Sequence, residues 1–147
     1  MIRVVLDTNI IVSGTISSSG APFDIMEAWR KRRFILVTSS SILKEVGRVF
    51  EYPKIEKSYG LSPKTIESIL IGLAKYSVVT PGELSVHEIK DDPADDMFLA
   101  CAVEGEANCI VSGDKHLLQA RAYLDIPIMN AQQFLAFLEK RTNDTGK

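Results

Sequence analysis

Residues 1–14 read MIRVVLDTNIIVSG, and the first half of that stretch decides the fold. Ile2, Val4, Val5 and Leu6 form an apolar run without the alternation of a half-exposed strand, so they read as a strand buried on both faces. Such strands belong to parallel sheets covered by helices on either side. Asp7 closes the run, and Ile10, Ile11 and Val12 follow just beyond it. A carboxylate in apolar surroundings is costly unless donors or a cation meet it. Asp7 therefore has two readings: a helix cap or Asx-turn within Asp7, Thr8 and Asn9, or one member of a cation-binding acidic cluster.

Working outward, strands are expected over "FILVTS" (34–39), "SVVT" (77–80), "NCIVSG" (108–113) and "IPIM" (126–129). Helical patterns fall between them: "PFDIMEAWRKRR" (22–33), "SSSILKEVGRVF" (39–50), "SPKTIESILIGLAKY" (62–76), "DDPADDMFLACAVEGE" (91–106), "DKHLLQAR" (114–121) and "AQQFLAFLEK" (131–140). Ser62 followed by Pro63 is the clearest helix start, and residues 52–60 read as a connection or short helix. This alternation predicts an α/β, three-layer domain with a central, mainly parallel sheet of about five strands flanked by helices. Residues 1–140 are expected to form a single domain, with 141–147 a polar, frayed tail. In such sheets functional groups gather beyond the carboxyl ends of the strands. That singles out Asp7-Thr8-Asn9, Thr38-Ser39-Ser40 and Ser112-Gly113-Asp114.

Composition narrows the class. A net charge of −2 excludes a broadly basic nucleic-acid binder but leaves room for a local basic patch. The two cysteines, Cys101 and Cys109, sit in apolar stretches without metal-ligand spacing and read as reduced, buried thiols. No targeting segment and no apolar run of about 18 residues is visible, so a soluble, cytoplasmic protein without a membrane span is expected.

Three further acids join Asp7. In "DDPADDMFLACAV" (91–103), Asp92 serves as cap, Pro93 as the first helical residue and Asp95 as capping-box partner, which leaves Asp96 over. At helical spacing Asp96 shares a face with Leu99, Ala100 and Val103, so it points with apolar groups and needs a cation or donors. Glu45 stands at the rim of the apolar face marked by Ile42 and Val49, with Lys44 and Arg48 pointing elsewhere; a solvated glutamate fits nearly as well. Asp114 leaves the strand of residues 108–113 through Gly113, where an N-cap reading is also strong. If that strand and the first are neighbours, the acids converge, and several carboxylates in one small site require cations or protons. An all-oxygen set suits Mg²⁺ or Mn²⁺ rather than zinc, and neither His87 nor His116 has a partner histidine at ligand spacing.

"VVLDTNIIVSG", then "ILKEV", then "DDPADDMFLACAV" running into "CIVSGDKHLL" resembles the PIN domain, most closely the bacterial and archaeal PIN-family toxins, in order and spacing over almost the whole chain. The resemblance implies a PIN fold and a divalent-metal-dependent endoribonuclease, often the toxin half of a VapBC-like pair. It places the family's acidic ligands on Asp7, Glu45, Asp96 and Asp114, with Asp7, Asp96 and Asp114 holding metal and Glu45 a ligand or a group orienting water. Thr8, Asn9 and Ser112 match positions that support the site. It also implies an antitoxin partner and a homodimer built from helices.

The basic run Arg30, Lys31, Arg32 and Arg33 is the candidate for phosphate contact, with Lys44, Arg48, Lys115 and Arg121 as additions; a solvated helix end complementing the helix dipole explains the run equally well. Two other readings compete. An aspartate-nucleophile phosphatase would also place an acid after the first strand, but such enzymes pair it with an acid two residues on, where this chain has Asn9. A catalytically silent adaptor of the same fold would tolerate a missing acid, and none is missing.

Overall fold

The computed structural model describes residues 1–84 and 96–144. Its first half runs β1 (Arg3–Leu6), α1 (Thr8–Ile16), α2 (Ala21–Arg30), β2 (Ile35–Ser39), α3 (Ser40–Phe50), α4 (Pro53–Tyr59), α5 (Pro63–Lys75) and β3 (Val78–Thr80). The second half runs α6 (Asp96–Glu104), β4 (Cys109–Val111), α7 (Lys115–Ala120), β5 (Ala122–Tyr123), β6 (Ile126–Met129) and α8 (Ala131–Asp144). The sheet order is β3-β2-β1-β4-β6-β5, and every pairing is parallel except β5 with β6. The expected α/β architecture with a mainly parallel sheet is therefore present. The sixth strand, β5, is too short to register as an apolar run; it pairs only at the edge, through Ala122 and Tyr123.

This order places a switch point at the middle of the sheet. Leaving β1, the chain moves to β2 and then β3; leaving β4, it moves the other way, to β6. The crevice between β1 and β4 at their carboxyl ends is where an open parallel sheet leaves room for a ligand.

Burial builds the central strands. Val4, Val5, Leu6, Leu36, Val37, Ile110 and Val111 are all fully enclosed, as expected for β-branched and leucine runs covered on both faces. Helix starts follow their polar residues: Ser39 accepts from the Ile42 N–H, Ser62 from Thr65, and Asn130 and Gln133 cap α8 reciprocally at 2.8 Å each way. Phe134 of α8 meets Phe34 edge to face at 5.2 Å, and α8 packs against α2.

Three features depart from the sequence reading. Helix α1 was not anticipated: its residues Ile10, Ile11 and Val12 are buried all round, so they show no amphipathic period. Helix α2 stops at Arg30 instead of continuing through the basic run. The Arg32 N–H bonds the Trp29 carbonyl and the Arg33 N–H the Ala28 carbonyl, both at 2.9 Å, with Arg32 at φ 59°. That is a Schellman ending with arginine where glycine is the usual residue. Residues 141–144, assigned to the tail, complete α8. The expected helix start around Asp92, Pro93 and Asp95, and His87, lie outside the described residues.

Two glycines are set by packing. A Cβ on Gly14 would lie 2.3 Å from the Pro22 carbonyl oxygen and 2.4 Å from Met26 Cγ, so Gly14 lets α1 and α2 touch. Gly14→Ala is expected to destabilise the protein by about 1–3 kcal/mol through overpacking, read as a lower urea midpoint at unchanged m-value. Gly72 differs: inside α5, a Cβ there would meet nothing within 4 Å. Glycine at a helix interior costs roughly 0.5–1 kcal/mol relative to alanine, and no close neighbour requires it.

Candidate active site

The strand register lines up a polar rung at the carboxyl edge. Leu6 pairs with Val111, Val111 with Met129, and Ser39 with Thr80. One step past those pairs, Asp7 is level with Ser39 and Ser112, and the ladder continues through the Asp7 N–H to Val111 carbonyl bond (3.0 Å) and the Ser112 N–H to Met129 carbonyl bond (2.9 Å). The rung thus reads Thr80, Ser39, Asp7, Ser112, Asn130. Ser39, Asp7 and Asn130 cap α3, α1 and α8, so these helices turn their partial positive N-terminal ends toward the same edge, an arrangement that favours anions.

Asp7 sits at the centre of this rung and is both cap and cluster member. Its Oδ1 accepts from the Ile10 N–H at 2.9 Å; its Oδ2 accepts from Ser112 Oγ at 2.5 Å and from the Gly113 N–H at 3.1 Å. A carboxylate offers about four acceptor positions, so Oδ2 is filled and Oδ1 keeps room for one more partner. Burial pushes the Asp7 carboxyl above the usual aspartate range. Those three hydrogen bonds pull against it, and the neighbouring Asp114 charge adds to the rise.

Ser112 couples the two acids. While donating to Asp7 it accepts from the Asp114 N–H at 2.9 Å. Asp114 Oδ1 in turn caps α7, accepting from the His116 and Leu117 N–H groups at 2.8 and 3.3 Å. Both strand-end aspartates therefore spend one oxygen on a helix start. Beside Asp7, the buried Thr8 hydroxyl has no hydrogen-bond partner among the described residues, and Asn9 is exposed.

Asp96 opens α6 with only 7% exposure, so a carboxylate does turn inward at that position; α6 packs against β1, β2 and β4. Glu45 is half-buried in the second turn of α3 and forms an ion pair with Arg48, which corrects the expectation that Arg48 points elsewhere. Among the described residues no three His, Cys, Asp or Glu side chains are placed to hold one ion together. The donor set still fits a hard cation. Asp7, Asp114 and the Thr8 hydroxyl are all oxygen donors, and burial pushes the Cys101 and Cys109 thiols up to about 12, leaving them protonated in the core. Mg²⁺ in particular keeps several waters and uses one or two carboxylates.

The raised Asp7 value carries a sign. Above 3.8 an unfolded aspartate ionises while the buried one still holds its proton, so the native state binds more protons and stability falls as pH rises through the folded value. In chelator, urea stability of the wild type is expected to drop across that interval more steeply than that of Asp7→Asn, which lacks the titration.

The basic run is not at this site. Arg30–Arg33 precede β2, and Ile35 pairs with Arg3 at the start of β1, so the run lies at the amino edge, roughly 13 Å of strand away from Asp7. Among the described residues, Lys44 of α3 and Lys115 of α7 sit on helices that start from this edge, and both are exposed. Asn130 was not singled out in the sequence, although the same strand-end rule that found Asp7 applies to it after "IPIM".

The family model described as "PIN domain" matches residues 3–116. The chain is 33% identical over 120 residues to "Uncharacterized protein MJ1680" of Methanocaldococcus jannaschii, covering 82% of this chain and 76% of that one. In fold it is similar to VapBC2 from Rickettsia felis, solved bound to a DNA fragment from its promoter (TM-score 0.53, 15% identity, 87% of this chain and 98% of that chain). It is equally similar to FitAcB from Neisseria gonorrhoeae (TM-score 0.53, 14% identity, 88% and 98%).

Proposed function

Because the chain belongs to the PIN-domain family, we propose that it is a divalent-metal-dependent endoribonuclease hydrolysing RNA phosphodiester bonds, the toxin component of a toxin–antitoxin pair. The observation that carries this reading is the pair Asp7 and Asp114, joined through Ser112 at the β1–β4 switch point; the Thr8 hydroxyl, next to Asp7 in the chain, is buried without a hydrogen-bond partner among the described residues. Mg²⁺ or Mn²⁺ bound there would polarise a water and neutralise charge developing on the phosphate.

The protein's own groups then divide the work. Asp7 and Asp114 would hold the cation, with the inward Asp96 acting on it through water; Ser112 keeps Asp7 and Asp114 at fixed separation. Glu45, steadied by Arg48, orients the attacking water or serves as a further ligand. Lys44, Lys115 and the N-terminal ends of α1, α3 and α8 draw the RNA backbone to the edge. An antitoxin covering this cleft and a helix-built homodimer complete the reading; VapBC2 and FitAcB, whose fold this chain shares, support the former. No described helix is long and apolar enough to cross a membrane.

The test is cleavage of labelled single-stranded RNA, duplex RNA and single-stranded DNA in Mg²⁺, Mn²⁺ or excess EDTA. RNA cutting that EDTA abolishes is expected. Metal-dependent cutting of DNA alone would move the substrate, and no cutting of any substrate would favour the adaptor. Ser112→Ala, which releases Asp7 from Asp114 without removing a ligand, is expected to weaken metal affinity or cleavage by about 10–100-fold.

A further inference from the structure

The nuclease reading leaves the basic run unused, and the structure places part of it on a cavity. A space of about 650 Å³ opens at the amino edge of the sheet between α2 and α5, far from the acidic rung. Its walls are apolar and aromatic: Met26, Trp29, Phe34, Ile69, Leu73 and Tyr76. Trp29 Nε1–H reaches the Tyr76 carbonyl in a long 3.4 Å hydrogen bond, tying α2 to the end of α5. Small-ligand sites typically run from about 300 to 1,000 Å³ and combine apolar walls with a few polar groups.

Three observations define the occupant. First, Arg30 and Arg32 both line the cavity and, among the described residues, no acid does. Arg30 already pairs with Glu27 at 2.6 Å, whereas the Arg32 guanidinium has no partner among the described residues. Second, Arg32 occupies the left-handed position of the α2 ending, where glycine would be the comfortable residue. Third, the glycine of α5 that no packing contact demands, Gly72, is also on the cavity wall; a side chain there would occupy this space.

We propose that this cavity binds a small amphipathic monoanion, an acyl or arylalkyl carboxylate, with its carboxylate on Arg32 and its apolar body along Trp29, Phe34 and Leu73. Trp29 is the protein's single tryptophan, so its emission reports on the site directly. The full chain is titrated with decanoate below its micellar concentration, and in parallel with decanol, decyltrimethylammonium and an acidic amphipathic peptide. A saturable emission change is expected for decanoate, with decanol about tenfold weaker or more, because it lacks the charge-assisted contact. Arg32→Gly, which suits the backbone there, is expected to weaken decanoate about tenfold and leave decanol unchanged. Gly72→Ala is expected to weaken decanoate while raising Tm by about 2–4 °C. No saturable change, equal binding of decanoate and decanol, or indifference to Arg32→Gly would overturn the proposal. Saturation by the peptide without decanoate would also overturn it and give the cavity to a protein partner. Neither variant touches Asp7, Asp96 or Asp114, so the nuclease reading stands or falls separately.

Discussion

Asp7→Asn is expected to lower metal-dependent RNA cleavage by about 10²–10³-fold or more while the protein stays folded, since it removes one charged group from a preorganised electrostatic site. The substitution keeps the shape of the side chain. With its carbonyl oxygen turned to Ser112 and Gly113, asparagine retains two of the three hydrogen bonds and sets its amide against the Ile10 N–H. The Ile10 N–H left without its acceptor costs about 1–3 kcal/mol, partly offset because no charge is then buried. What disappears is the negative charge that the open position on Oδ1 would offer a cation. Single-turnover cleavage beside thermal unfolding of the same sample separates the effects. Cleavage within a few fold of wild type would remove Asp7 from the chemistry.

Asp7→Ala is expected to unfold the protein far more readily than Asp7→Asn. It strips three donors at once: the buried Ile10 N–H and Ser112 Oγ, and the part-buried Gly113 N–H. Losing an N-cap costs roughly 1 kcal/mol, and each buried donor left unsatisfied costs about 1–3 kcal/mol. Even after relief of the carboxylate's own desolvation, a net loss of about 3 kcal/mol is expected, a large share of the roughly 5–15 kcal/mol that stabilises a domain. Urea unfolding in chelator measures it. An alanine variant as stable as wild type would mean that Asp7 does not hold α1 and the β4 exit together. Capping and chemistry are not alternatives at this residue, since one oxygen serves the helix and the other answers to Ser112.

The legible parts of the molecule were those where one physical signal dominated. β1, β2 and β4 announced themselves as continuous apolar runs, and α5 by Ser62 with Pro63. The carboxyl-edge rule then located Asp7 and Asp114, and the parallel β1–β4 pairing made them neighbours. Helix α1 was not legible because "TNIIVSGTI" has β-branched residues, a glycine and no polar face. Its helicity comes from burial against α2 and α3, not from propensity. The basic run illustrates a second limit. Its charge suggested phosphate, but its edge of the sheet is set by topology: residues that precede a parallel strand lie opposite those that follow one. The Glu45–Arg48 pair, three residues apart on α3, is legible from helical spacing but not from the apolar face that Ile42 and Val49 mark.

The central claim is that the carboxylates at the β1–β4 switch point hold a divalent cation. Calorimetric titration of Mn²⁺ into chelator-stripped wild type and folded Asp7→Asn tests it most directly. Saturable binding to the wild type, at least about tenfold weaker in the variant, is the predicted result. Equal binding by both proteins, or none by either, would contradict it.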